Sequence, residues 1–189
     1  MYASILKKAF DPYYNAPITI WEYFSDLCEE ITFKKNQKIK EVNTVSKFGY
    51  FLLEGACGFF VFKKNYFVCT DLYLENCFFG DNSSLFTGKA SPVEIVALEN
   101  SKLLRISKSN IDELKKMQIG ALLFHTGELH SNIEKQQQQI EMMTMTAEEK
   151  YMNLLETNPE VLKRIHQKHI ASYLGITPQS LSRIRKKVR

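Results

Sequence analysis

No two of the four cysteines, Cys28, Cys57, Cys69 and Cys77, stand at CxxC spacing, and none is paired with histidine at zinc-ligand intervals. A structural zinc, an iron–sulfur cluster or a dithiol redox centre needs several such ligands converging, so no metal site and no cofactor is assigned. Thiols set in apolar runs such as ACGFF and ENCFF are expected to be core residues. Long apolar runs are missing too, because Lys and Glu interrupt every one. No signal peptide, membrane span or membrane partner is therefore expected, and the protein is placed in the cytoplasm. No Ser/His/Asp set or nucleophile–base pair is evident, so the chain is not expected to be an enzyme. A last absence is local: beyond Glu160 there is no acidic residue.

What is present divides unevenly along the chain. Residues 161 to 189 carry eight Lys and Arg and no acid, whereas residues 1 to 160 carry 17 Lys and Arg against 21 Asp and Glu. A basic tail on a slightly acidic body is the charge pattern of a polyanion-binding module joined to something with another task. With 189 residues and 44% hydrophobic content, the chain can bury one good core and a smaller second one. Thirteen Phe and nine Tyr are concentrated in the first 86 residues, which points to a β-rich core there.

Residues 1 to 30 are predicted helical. Ile18, Trp21, Tyr23, Phe24 and Leu27 give the apolar stripe, and Asp26, Glu29 and Glu30 face water. From Ile31 to Ile106 the pattern changes to short strands: ITFKK, YFLLEG, CGFFVFKK, YFVCTDLYLE, VEIVALE and KLLRIS, parted by polar turns or single glycines. Many short strands at near-regular spacing predict a compact antiparallel barrel or jelly roll. Ile119, Leu122, Thr126, Leu129, Ile133, Gln136, Ile140 and Met143 then recur in steps of three and four, the a/d pattern of a two-stranded coiled coil. A homodimer seam is the expectation; the alternative is one long helix burying that stripe on its own barrel. Thr146 with Glu149 forms a capping box, and Asn158-Pro159 starts another short helix.

The segment QKHIASYLGITPQSLSRIRK, Gln167 to Lys186, has the spacing of two short helices crossing at a sharp angle. Ala171 allows their close approach, Gly175 suits a left-handed turn, and Ile170, Leu174, Ile176, Leu181 and Ile184 close the pair. Thr177 is a good N-cap and Pro178 suits the first helical position. On the second helix Gln179, Ser180 and Arg183 are placed to read bases, since Gln bonds adenine and Arg bonds guanine with two hydrogen bonds each. Lys168, Thr177, Ser182, Arg185, Lys186 and Lys187 are assigned to phosphates. Membrane-surface binding would need a broad apolar face left open, and the helix packing uses the one available.

Strands, a long helix and then this helix pair resemble the Crp/Fnr family of bacterial transcription regulators. The likeness is most specific in IASYLGITPQSLSRIRKK, which is similar to members common in Bacteroidetes-like bacteria. It extends to YFLLEGACGFF and to FFGDNSSLFTGKASPVEIVALENSKLLRIS. It implies an α+β chain: a cyclic-nucleotide-binding-like sensor barrel with its N-terminal helix over 1–110, a long dimerisation helix over 111–145, and a helix-turn-helix DNA-binding domain over 146–189. It also implies double-stranded promoter DNA and RNA polymerase as partners, and a sensed signal.

The ligand cassette departs from the nucleotide-binding pattern that the resemblance implies. Gly80 and Asp81 stand where the family has Gly-Glu, and Ser91 falls at the place of the phosphate-clamping Arg. Lys89 nearby lacks the planar two-bond geometry. Cyclic AMP and cyclic GMP are therefore not expected. Gly80, Asp81, Asn82, Ser83, Ser84 and Ser91 either line a small polar cavity for another, unidentified effector or form a capped turn that holds no ligand. The cysteine cluster of the family's oxygen-sensing branch is missing, and the lone His125 and His130 are read as solvent-facing. A signalling adaptor, recruiting a protein partner through barrel and coiled coil, is the alternative to a DNA-binding regulator.

Overall fold

The computed structural model describes residues 2–63 and 66–188; Arg189, one of the eight basic tail residues, and Lys64, the end of the CGFFVFKK strand, lie outside the described residues. The chain opens with α1 (Ala3–Phe10) and α2 (Ile18–Asp26), whose inward residues are Leu6, Phe10, Ile20, Trp21 and Phe24. The predicted stripe holds at Trp21 and Phe24, while Ile18 and Tyr23 point to solvent. Helix also ends sooner than the sequence suggested. CEEITF, which alternates from Glu30 onward, forms β1 (Cys28–Phe33), so Glu29 and Glu30 belong to a strand and pair across it with Arg105 and Lys102 at 2.7 and 2.9 Å.

The strands that follow are β2 (Lys38–Lys40), β3 (Phe48–Glu54), β4 (Cys57–Lys63), β5 (Tyr66–Tyr73), β6 (Cys77–Phe79), β7 (Val93–Ala97) and β8 (Ser101–Ser107). They build two antiparallel sheets, ordered β1-β8-β3-β6 and β2-β7-β4-β5. This is the expected jelly roll. The three-residue strands β2 and β6 were not legible in the sequence because so short a run shows no period. Between the sheets lie Leu52, Phe59, Ile95, Leu103 and a ladder of rings in which Tyr50 and Tyr73 stack on Phe79 at 5.4 and 5.5 Å. The opposite face of the first sheet is apolar as well: Phe51, Leu104 and Ile106 pack against α1 and α2. Adjacent Leu103 and Leu104 point to different faces, yet both are buried.

Between Asp81 and β7 runs α3 (Asn82–Thr87), and after β8 comes α4 (Lys108–Lys115), capped by the Ser107 hydroxyl, which accepts from Asn110 N. The long helix is a separate element, α5 (Gln118–Thr144), of 27 residues and about 40 Å. It does not continue back to residue 111 because the chain turns sharply at Lys116 and Met117. A Cβ on Gly120 would meet the Leu114 carbonyl oxygen at 2.1 Å, so only glycine allows α4 and α5 to approach this closely. Gly120 and Leu123 turn one face of α5 toward the barrel.

The remaining helices are α6 (Ala147–Thr157), with the Thr146/Glu149 capping box in place, α7 (Pro159–Arg164), α8 (Gln167–Tyr173) and α9 (Pro178–Val188). Between α8 and α9, Gly175 has φ +71 with open space around its missing Cβ, so glycine is required there for backbone conformation and not for room. Ile170, Ala171, Leu174 and Leu181 are fully buried in a core that also holds Val161, Leu162 and Ile165. The same core takes in Ala56, Phe60, Cys69 and Leu98 of the barrel, so the C-terminal helices are docked on it. Among the described residues β5 has no strand beyond it, and α8 covers that open side, with Cys69 N donating to Ser172 Oγ at 2.9 Å.

Candidate nucleic-acid interface and barrel cassette

The sequence of α9 sorts its residues by side. At about 100° per residue, Leu181, Ile184 and Val188 share the inward stripe, which leaves Gln179, Ser182, Arg183 and Lys186 together on the other side. All four are exposed. Thr177 Oγ1 accepts from Ser180 N at 3.1 Å and lies 3.0 Å from Ser180 Oγ. Ser180 is therefore half-buried and engaged in capping, with less freedom than Gln179 or Arg183 to meet a partner. Arg185 sits on the flank nearest the inward stripe, in a shallow groove with Tyr151, Leu162 and His166, away from the Gln179–Arg183 face.

Charge in this unit is less free than the tally of basic residues suggested. Lys187 pairs with Glu148 at 2.8 Å and Lys163 with Glu160 at 2.6 Å. Arg164 is spent on the barrel. Its guanidinium donates to Glu75 at 2.7 and 2.8 Å, to Glu99 at 2.5 and 3.3 Å, and to the Gly55 carbonyl at 3.1 Å. The Arg164 cation holds the Glu75 carboxyl down to about 2, and the two carboxylates in turn push Arg164 up. Neither glutamate stood out in the sequence, because a partner 89 or 65 positions away leaves no local signature. Lys168, Arg183, Arg185 and Lys186 have no carboxylate within ion-pair distance among the described residues.

The cassette is self-contained. Asp81 caps α3 by accepting from Ser84 N at 3.2 Å, accepts from Ser91 Oγ, and pairs with Lys40 Nζ at 3.3 Å. Lys40 and Asp81 are both buried, and the ammonium also reaches Ser91 Oγ at 3.2 Å and the Val93 carbonyl at 2.8 Å. Ser84 Oγ donates to Lys89 O at 2.6 Å and accepts from Ser46 N at 2.9 Å. Asn82 and Ser83 face outward. A buried carboxylate whose charge is already matched by an internal lysine has no call on an external cation, and the lysine has none on a phosphate. Lys40 went unnoticed in the sequence because it lies 41 positions before Asp81 in a charged three-residue strand.

An aromatic cavity lies elsewhere. About 370 Å3 in volume, it is bounded by β3, β5, β6 and β8, by α1 and α2, by the middle of α5, and by Tyr173 at the end of α8. Of the six residues expected to line a pocket, Gly80 and Asn82 border it; Asp81, Ser83, Ser84 and Ser91 do not.

Along α5 the predicted a/d residues divide. Ile119 packs against the barrel core and Thr126 is half-buried, while Leu122, Leu129, Ile133, Gln136, Ile140 and Met143 are exposed, Met143 by 86%. The chain's own barrel thus leaves most of this stripe uncovered. Burial pushes each of the four thiols up to about 12, so none is a ready nucleophile. His125 is exposed, His130 lies against Tyr13 with ring centroids 5.2 Å apart, and His169 packs on Phe60 at 5.1 Å. That burial, aided by Lys168 and His166, brings His169 down to about 4. Among the described residues no group of His, Cys, Asp and Glu could hold a metal, and no helix is long and apolar enough to cross a membrane.

Comparison with known proteins agrees with this architecture. The family model for the cyclic nucleotide-binding domain matches residues 30–118. No curated protein matches the sequence. Among solved structures, the c-di-GMP responsive global regulator CLP of Xanthomonas campestris superposes with a TM-score of 0.69 at 12% identity, covering 91% of each chain. FixK2 from Bradyrhizobium japonicum gives 0.70 at 16%, covering 85% of this chain and 84% of its own. The Thermus thermophilus catabolite activator protein gives 0.61 at 14%, covering 93% and 85%. Residues 30–118 are thus similar to the cyclic nucleotide-binding domain, and the chain as a whole shares the fold of these regulators.

Proposed function

We propose that this protein is a homodimeric, sequence-specific DNA-binding transcription regulator of the cytoplasm. One observation carries the reading: α9 presents Gln179, Ser182, Arg183 and Lys186 together on an exposed face, on a helix packed against α8, with no acid paired to Arg183 or Lys186 among the described residues. Gln179 and Arg183 read bases, with Ser180 in a lesser part because of its capping bond. Lys168, Thr177, Ser182 and Lys186 meet phosphates; Lys187 joins them by exchanging Glu148, and Arg185 reaches them from the flank. The exposed stripe from Leu122 to Met143 supports a dimer seam, which would set two copies of α9 on a two-fold symmetric site. Residues 1–110 form the sensor, 111–145 the seam and 146–189 the reader, with RNA polymerase as the further partner. The spent charges of Asp81 and Lys40 argue for an effector other than cyclic AMP or GMP.

Selection of duplexes from a random pool by the purified protein tests this directly. A symmetric motif with half-sites one helical turn apart is the expected result. Arg183→Ala should then lose about 1 to 3 kcal/mol on the selected site and relax one position of it, whereas Lys186→Ala should weaken all duplexes alike and flatten the salt dependence. Binding that is indifferent to sequence and nearly flat with salt would refute the regulator and favour the adaptor.

A further inference from the structure

The cavity between the barrel, α5 and Tyr173 is lined mainly by rings. Its lining is aromatic on both sides of the β6 edge: Phe10, Phe24, Phe51, Phe78 and Phe124 on the helix side of the first sheet, and Phe79 on the side between the sheets. The polar groups among them are mostly neutral, chiefly the Tyr50 and Tyr73 phenols, which burial keeps protonated well beyond neutral pH. The wall carries the carboxylates Asp71, Glu128 and Glu134 against the one ammonium of Lys135. Glu128 pairs with Lys115 at 3.6 Å, Glu134 accepts from Tyr13 at 3.2 Å, and Asp71 lies beside Tyr73. Among the described residues Lys135 is the only basic one on the wall, and its ammonium lies 5.9 Å from the Phe59 ring. An anionic ligand would meet three carboxylates against one ammonium on this wall, and the cassette offers no free cation, since Lys40 is committed to Asp81.

The second observation is where the cavity ends. Tyr173, which closes one side, belongs to α8, the first helix of the pair proposed to hold DNA, and its hydroxyl accepts from Gln138 of α5. Its neighbour Ser172 makes the bond that fastens α8 to β5. An occupant that reaches Tyr173 therefore touches barrel, long helix and C-terminal unit at once.

We propose that the cavity binds an uncharged, flat aromatic molecule of two or three fused rings, and that the occupant is read directly by Tyr173, tightening α8 against β5. Ring faces and edges of the wall supply the contacts, and the phenols supply hydrogen bonds to a polar edge of the ligand. A ligand shifts a conformational balance only as far as it binds one state better. Tyr173 provides that difference, because it lines the cavity only while α8 is docked. Coupling is then reciprocal: whatever releases α8 weakens the ligand by the same factor.

The inference rests on the regulator reading only in assigning α8 to a DNA-binding unit, and the test separates the two. Full-length protein is titrated with N-phenyl-1-naphthylamine, an uncharged probe whose emission rises in apolar surroundings. Saturation at one probe per chain is expected, with loss of that phase in Ser131→Trp, which fills the cavity from α5. The bound probe should slow exchange of the Cys69 amide by about fivefold or more, and Tyr173→Ala should abolish that slowing. No saturable phase, an unaltered phase in Ser131→Trp, tighter binding of an anionic naphthalene sulfonate, or unchanged Cys69 exchange would each overturn the proposal. Duplex binding is measured in parallel: duplex binding without a probe site sinks this inference alone, and a probe site without duplex binding sinks the regulator reading alone.

Discussion

Arg164 joins two parts of the molecule that have no other ion pair between them among the described residues, apart from its own bonds to Glu75 and Glu99. Replacing it by Met keeps the aliphatic stem and removes the guanidinium, leaving two carboxylates facing each other. Exposed pairs are worth under about 1 kcal/mol, and removing one member of a buried pair costs about 3 to 5. The three side chains here are 27–28% exposed, so water can partly resolvate the glutamates and the cost falls between, at about 2 kcal/mol. That loss weakens docking of the C-terminal helices more than it weakens the barrel. Exchange of the Cys69 amide, bonded to Ser172 only while α8 is docked, should therefore quicken about 30-fold, and that of Leu103 in the centre of its sheet should not change. Acid tests the same bond. Glu75 is held at about 2 against an ordinary 4.5, so its contribution is complete above about pH 4.5 and is lost as pH falls toward 2. The Met variant should lack that acid-sensitive part. Unchanged Cys69 exchange, or equal acceleration at Leu103, would refute the reasoning.

His169, brought down to about 4 by burial, should weaken docking progressively as pH falls from 6.5, because only the released form takes the proton readily. His169→Phe should remove this dependence in Cys69 protection factors measured at pH 7 and pH 5. Lys40→Met leaves the buried Asp81 carboxylate unmatched and should cost about 3 kcal/mol in urea unfolding, much of it recovered on adding Asp81→Asn; an undiminished loss in the double variant would mean that Lys40 acts through packing. Gly175→Ala should cost about 1 kcal/mol from its φ of +71 alone, since nothing lies within 4 Å of the added methyl; a loss several times larger would show a clash where none is expected. Ile133→Asp should halve the sedimenting mass, and an unchanged mass would reject the seam.

Features carried by neighbouring residues were legible in the chain. Thr146 with Glu149, Asn158-Pro159, Gly175 and Thr177-Pro178 act within four positions, and each stands where the sequence put it. The strand pattern gave a jelly roll without its order, because register depends on partners such as Tyr50 and Phe79 that lie far apart in the chain. Long-range polar pairings were invisible for the same reason. Arg164 counted as part of a basic tail, though it serves the barrel, and the cassette stayed open between a polar cavity and a capped turn because Lys40 could not be placed beside it. The aromatic cavity was hidden inside a general excess of Phe and Tyr: composition said that rings would be buried, not that they would leave space.

The way α8 lies over β5 has a cost for any motion that frees the C-terminal helices. Once uncovered, β5 would offer a row of unbonded N–H and C=O groups beside Phe60 and Leu72, which is a template for adding a foreign strand. A barrel clipped free of its last helices should accordingly self-associate and fall out of solution, so proteolytic loss of this unit would register as precipitation before it registered as lost activity.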